Sequence, residues 1–384
     1  MTGQSLLLVS QSITDDSALT HARKRKPVQI TPPLPGDKQM AKVLVFILFS
    51  IKLFTLSCGP ESALDKEINW EFTPQVRSAS FVGANLAWLV TVKNDFFVTA
   101  DGGKQWQRIP AEVVAQFNDI SFIDALHGWA IDKGGRVWES RDGGRNWISI
   151  ASLDYEDAKL AKIRFLDSSH GWLVDLFSIW RTEDGGINWK RHIPSDGPNE
   201  IKELTRRHYF INAENGWLCG ESGLYNTTDG GKTWHGQRPI GGGVDITSVS
   251  FVDEQTGWFS SAPKSKIYCT YDGGNSWQAR ALPIRNPYIY SVHFVNGREG
   301  WAVGTDRKDG AITSEEIWGI VMHTTDGGRT WQDVKVGENE LFYDRVYFSD
   351  SQHGWICARD NVYHTDDGGR IWFKTLSLPP VSKN

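Results

Sequence analysis

Seven aspartates carry the side chains best suited to acid–base work or cation binding in this sequence: Asp101, Asp142, Asp184, Asp229, Asp272, Asp326 and Asp367. Each opens an Asp-Gly-Gly phrase with Ser or Thr two places before it and tryptophan five places after it. The fullest form is TTDGGKTW at residues 227–234. Seven equivalent carboxylates cannot meet at one reaction centre, and the phrase supplies too few oxygens for a calcium loop. What it does suit is local. Two glycines let the chain reverse tightly, the aspartate and hydroxyl accept nearby turn N–H groups, and the tryptophan needs a groove to fill. The seven aspartates are therefore read as structural.

His127, His170 and His353 fill the same turn position in different repeats, so no shared metal is expected. Cys58, Cys219, Cys269 and Cys357 lack metal-ligand spacing. Cys219 and Cys357 take equivalent places just after a repeat tryptophan, which marks them as small core residues. There is no Ser/His/Asp set with a nucleophile phrase and no Gly-x-Gly-x-x-Gly, so neither catalysis nor a cofactor is expected. A net charge of −5 argues against a general nucleic-acid binder.

The phrases recur at intervals of 41, 42, 45, 43, 54 and 41 residues, the mark of one supersecondary unit repeated. A second marker is as regular, a phenylalanine seven residues before a tryptophan: Phe81/Trp88, Phe122/Trp129, Phe165/Trp172, Phe210/Trp217, Phe251/Trp258, Phe294/Trp301 and Phe348/Trp355. Six of these tryptophans follow glycine and the first follows Ala87. In the unit at 119–150, strands are expected at 120–122, 129–131, 137–139 and 147–150, the last opened by the box tryptophan. Eighteen tryptophans and 38 glycines with three methionines suit strands and turns. Four strands, seven times, predict an all-β, seven-bladed propeller of antiparallel blades. A solenoid would need atypical end repeats, and these ends are ordinary.

Ahead of the ring, residues 1–39 are expected to be disordered or, if Met40 is the start, untranslated. Residues 40–58 read as an export signal: Lys42, a short apolar run, then Leu56-Ser57-Cys58-Gly59. That ending resembles a bacterial lipobox, which makes Cys58 the lipidation candidate. Lys52 within the run and Thr55 depart from the pattern. A linker follows at 59–75, and the propeller occupies 76–384.

The boxes match the Asp-box, or bacterial neuraminidase, repeat. With the Gly-Trp element upstream, the unit resembles the photosystem II assembly and stability factor family over residues 76 to 379. The resemblance implies a seven-bladed lumenal protein, lipid-anchored in some members, without catalysis, that binds newly made D1. For this chain it implies an exported, membrane-anchored, monomeric ring with a protein partner and no nucleic acid. A sialidase-like hydrolase or glycan binder is the alternative, and an architectural envelope lipoprotein the second. Against the first, Arg108-Ile109-Pro110 follows the first box, whereas sialidases place that phrase ahead of it and have six blades. Quinoprotein repeats use a different phrase.

First and third turns of each blade, hence the boxes, are expected on one face. Second turns and blade connections crowd the other, around the channel. The tryptophan-to-aspartate spacing is 12–14 residues in six blades and 25 from Trp301 to Asp326, so residues 305–318 enlarge the second turn of blade six. Trp318 lies there as a docking candidate. Connections on that face add Arg206 and Arg207 before blade four, and Arg280, Arg285, Tyr288 and Tyr290 before blade six. Arginine with tyrosine suits protein docking.

Overall fold

Each repeat folds as a four-stranded antiparallel meander. The computed structural model describes residues 75–110, 115–153, 161–175, 178–192, 207–220, 223–237, 245–262, 266–284, 287–307, 317–337 and 340–379. These hold seven four-stranded sheets, β1–β28 in chain order, each made of four consecutive strands. Blade one runs β1 (Val76–Val82), β2 (Leu86–Thr91), β3 (Phe96–Thr99) and β4 (Gln107–Ile109). The export signal, Cys58 and the preceding extension lie outside the described residues, as does the linker up to residue 74.

The unit expected at 119–150 is present as Phe117–Phe122, Gly128–Asp132, Arg136–Ser140 and Ile148–Ser152. Two details differ. The inner strand starts earlier, carrying a bulge between Phe117 and Asp119. Trp147 stands before the outer strand instead of opening it, because its indole N–H turns back onto the Gly144 carbonyl at 3.0 Å.

The box is a closed set of local bonds. Thr227 Oγ1 donates to Asp229 at 2.8 Å and accepts the Gly231 N–H at 2.8 Å, while Asp229 accepts the Thr233 N–H at 2.9 Å. Gly230 and Gly231 hold φ of 75° and 92°, closed to most side chains. The Gly230 N–H reaches back to the Glu214 carbonyl of the first turn at 2.7 Å, and the other six boxes repeat that bond. Boxes and first turns therefore share one face. His127, His170 and His353 each bond the aspartate of their own turn, Asp124, Asp167 and Asp350, at 2.8–2.9 Å.

Blades join through a three-ring wedge. At six junctions the marker tryptophan of one blade (Trp88, after Ala87, and five that follow glycine) stacks on the marker phenylalanine of the next, with centroids 3.4–4.1 Å apart. The box tryptophan of that next blade meets the same phenylalanine edge-on at 5.7–6.1 Å. Glycine precedes the stacking tryptophan because the phenylalanine lies over it: a Cβ on Gly300 would sit 2.4 Å from the Phe294 ring. Blade seven meets blade one differently. Ala87 puts a methyl at that position, and Trp355 and Phe81 stand 5.5 Å apart. Polar bonds reinforce this seam: Arg345 to the Arg77 carbonyl at 2.9 Å and the Gln75 N–H to the Arg359 carbonyl at 2.7 Å. Cys219 and Cys357 are buried core thiols outside any disulfide, as their equivalent positions imply, and Cys269 is a third.

Two predictions follow from the joints and the boxes. Gly300→Ala is expected to lose about 1–3 kcal/mol in urea unfolding through overpacking against Phe294, whereas Ala87→Gly stays within about 1 kcal/mol. Equal losses would remove the wedge from the account.

The box carboxylates make stability acid-sensitive. Asp272 and Asp326 are held down at about 2, first by the hydroxyls of Ser276 and Thr330 at 2.6 Å, then by the N–H groups of the same residues. At Asp229 burial acts upward, but bonds from Thr233 and Thr227 outweigh it and leave it at about 2. A depressed folded value stabilises fully above the unfolded value near 3.8 and is lost as pH falls through about 2. Thermal melts followed by tryptophan fluorescence should therefore fall below about pH 4 as the box carboxylates protonate. This comes on top of a decline that begins near pH 6.5, because buried His208 and His293 stay neutral in the folded chain down to about 4, and Asp272→Asn should flatten the part below about pH 4.

Candidate functional site

The innermost strand of each blade is an edge with free backbone groups facing its neighbour and the central channel. These strands are β1, β5 (Phe117–Phe122), β9 (Lys162–Phe165), β13 (Arg207–Phe210), β17 (Asp245–Phe251), β21 (Tyr288–Phe294) and β25 (Tyr343–Phe348). Side chains close many of the gaps. One residue before the marker phenylalanine, Ser80, Ser121 and Ser250 accept the N–H of Phe122, Phe165 and Phe294 in the next blade at 2.9–3.0 Å. Three residues before it, Ser78, Asp119, Ser248 and Ser291 accept the N–H of Ile120, Ile163, Val292 and Val346 at 2.9–3.4 Å.

Blades three, four and seven break this pattern. In place of the inner serines stand Lys162 and Arg164, Arg207 and Tyr209, Arg345 and Tyr347. Blade seven lies across the ring from blades three and four, so these cations face one another over the channel. Arg207 reaches the Asp344 carbonyl on blade seven at 3.5 Å. Arg345 bonds the Asp344 carboxylate at 3.0 Å, and Lys162 stands 3.5 Å from Asp119. Arg164 is exposed and has no ion pair among the described residues. Desolvation lowers the pKa of Lys162 and of Arg207, and Arg345 adds repulsion to both. His208 and His293 are pushed down to about 4 by burial, so both are neutral at pH 7 and the positive charge belongs to the lysine and arginines.

Arg207 was expected on a blade connection but is the first residue of an inner strand, pointing into the channel. Arg280 is likewise not in a connection. It ends the outer strand of blade five, bonded to Gln278 at 3.3 Å, away from the channel. Arg206 and Arg285 lie outside the described residues.

Tyr288 and Tyr290 were expected in the connection before blade six but stand on its inner strand, β21, whereas Trp318 stands on its third strand. Tyr288 and Tyr290 pack 4.8 Å apart, and Tyr290 meets Phe342 at 6.0 Å. The segment at 305–318 is only partly a turn. β22 (Gly300–Arg307) and β23 (Ile317–Thr324) remain paired to Arg307 and Ile317, so both its ends are strand. Thr305 Oγ1 at the base of this hairpin bonds the Trp318 carbonyl at 3.1 Å and the Leu341 carbonyl at 3.0 Å. The Gly319 N–H bonds the Glu340 carbonyl at 2.6 Å. Trp318 is 42% exposed on that stem.

Sequence reasoning missed Lys162, Arg164, Tyr209, Arg345 and Tyr347. The signal was available: aligned on the marker phenylalanine, the positions one and three before it are serine at both places in blades one and five and at one place in blades two and six, whereas blades three, four and seven have long side chains at both. A tyrosine–glutamate pair of the kind a sialidase uses also exists, Tyr363 to Glu340 at 2.5 Å. Tyr363 is 1% exposed, and burial, then the Glu340 bond, raise its pKa, so it serves as a hydrogen-bond donor fixing the connection between blades six and seven.

Comparison with known proteins bears on this ring. A family model described as photosynthesis system II assembly factor YCF48 matches residues 148–238 and 239–341, about half of the chain. The solved YCF48 from Cyanidioschyzon merolae is 20% identical, with 78% of this chain and 97% of that one covered at a TM-score of 0.57. A structure of YCF48 bound to D1 peptide is 20% identical over 75% of this chain and 91% of that one, at 0.56. A GH74 xyloglucanase from Xanthomonas campestris shares the fold at 12% identity and a TM-score of 0.64, covering 79% of this chain and 55% of that one. Among curated proteins, the uncharacterised YCR101C of Saccharomyces cerevisiae is 32% identical over 65 residues, 16% of this chain; the chain spans about a third of its length, 35%. Because the family model runs from the outer strand of blade two to the threshold of blade seven, the chain belongs to the photosynthesis system II assembly factor YCF48 family.

Proposed function

We propose that this chain is a non-enzymatic binding ring for a polypeptide, acting in the assembly of a membrane-protein complex. The observation that carries the reading is the character of the second-turn face. Cations from three blades line the channel there, and blade six carries Tyr288 and Tyr290 on its inner strand and exposed Trp318 on its hairpin. Aromatic anchors with arginine are what recurrent protein-binding surfaces use. Family membership and the D1 peptide seen on a related ring support the same reading and nominate D1 peptide as the first probe. The box carboxylates are fully used in turn bonds, which leaves them no acid–base role. Arg206 and Arg285 are kept as further contacts on that face, and Arg280 as a contact of the outer rim.

The chain is further proposed to be exported and held at a membrane through lipid on Cys58, as its lipobox-like ending suggests. Labelled palmitate should enter the full-length chain and be absent from Cys58→Ala; equal labelling of both would overturn the anchor.

For the partner, D1 peptide affinity measured by fluorescence anisotropy should fall about tenfold or more in Trp318→Ala with Tyr290→Ala. The exposed outer-rim change Arg108→Gln should leave it unaltered. Unchanged affinity in the double variant, or hydrolysis of xyloglucan by the parent chain, would sink the proposal.

A further inference from the structure

We infer that the channel holds one compact oxyanion between Lys162, Arg207 and Arg345. The site is complete within this chain and does not depend on any partner.

The argument starts from what each cation lacks. Arg207 extends from blade four across the channel. Among the described residues its guanidinium makes one hydrogen bond, to the Asp344 backbone carbonyl at 3.5 Å, the outer limit of such a bond. A guanidinium offers five N–H donors in a planar fork, so most of its capacity is unused. Among the described residues Lys162 has only Asp119, also at 3.5 Å. That carboxylate is already engaged by the Ser78 hydroxyl at 2.6 Å and the Ile163 N–H at 2.9 Å. Arg345 is better held, with Nε on Asp344 at 3.0 Å and one Nη on the Arg77 carbonyl at 2.9 Å, which leaves part of its fork free.

Three cations therefore converge at one level of the channel beside two carboxylates, of which Asp119 is shared with Ser78 and the Ile163 N–H and Asp344 is taken by Arg345, so the cluster keeps an excess of positive charge. Lys162, Arg207 and Arg345 each stand three residues before a marker phenylalanine, the same height on their strands. Arg207 and Arg345 both disfavour charge on Lys162, while Asp119 favours it. Grouped, partly desolvated cations cost free energy unless an opposite charge with matching acceptors joins them. The matching species is small, because one guanidinium already spans the channel here. It must also present two or more equivalent oxygens to forked donors. A free inorganic oxyanion and a carboxylate on a bound polypeptide share that chemistry.

Inorganic phosphate titrated into the full chain at pH 7 and low salt, read by calorimetry and by thermal shift, is expected to bind saturably at one per chain. Arg207→Gln and Lys162→Met should each weaken binding by about tenfold or more, while Arg108→Gln binds as the parent does. Should Arg207→Gln fail to fold, Lys162→Met and the parent carry the comparison. Acetate at high concentration separates the sources: displacement of phosphate shows that a carboxylate fits the site, and no displacement confines it to free phosphate-like anions. Absent saturation, or equal weakening in Arg108→Gln, would overturn the inference.

Discussion

The joint between adjacent blades is the contact on which everything else in this ring depends. A tryptophan from one blade, a phenylalanine and a box tryptophan from the next interlock over a glycine that has no room for a side chain. Each stacked pair contributes on the order of 0.5–1.5 kcal/mol beyond area burial. The larger effect is angular: the flat stack sets how far one blade can rotate from the next. In several junctions the stacking indole also bonds the box of the next blade, as Trp172 does to the Gly230 carbonyl at 2.8 Å. Turn chemistry and inter-blade packing are thus one device. The blade-seven to blade-one contact shows what happens when a part is exchanged. Ala87 displaces Phe81 from the close stack, and Arg345 and the Gln75 backbone take up part of the closure.

The inner edge of the ring shows where cohesion and recognition compete. Serines at two heights accept the next blade's N–H groups and hold neighbouring inner strands together without a continuous sheet. Lysine and arginine cannot accept a hydrogen bond, so each one placed there gives up such a contact. Blades three, four and seven make that exchange and gain a basic channel. The loss is tolerable because the aromatic wedges, not the inner edge, fix the blade angles. A binding surface can then be built on the inner strands while the ring keeps its geometry.

Much of the fold was legible because its determinants are local and repeat. Asp-Gly-Gly demands positive φ and a self-bonded turn in every copy, and the phenylalanine-to-tryptophan spacing fixes the first hairpin. The site was less legible for a physical reason. Arg207 reads like a loop arginine beside Arg206, and only the register of the inner strand decides that it faces the channel. Lys162 and Arg345 stand 183 residues apart by number, on blades across the ring from one another, and nothing in a linear reading pairs them. Arg280 failed for the converse reason, since it ends the outer strand of blade five and not the connection beyond it. Trp318 was found because the long interval in blade six pointed at it, and Tyr288 and Tyr290 because they follow arginines ahead of that blade.

That long interval gains meaning from how tightly its base is tied. Glu340 accepts bonds from Tyr363 and Asn361 of blade seven through its side chain, while its carbonyl takes the Gly319 N–H of blade six. Thr305 bonds both the hairpin and the connection beyond it. A tolerated insertion has no need of such anchorage, since extra surface chain costs little by its length alone. Trp318 is instead carried on a braced two-stranded stem, where a large apolar ring can be offered to a partner without first being ordered. Because ordering side chains and loops is a principal cost of association, bracing the hairpin to two blades favours binding there over binding on an unbraced turn.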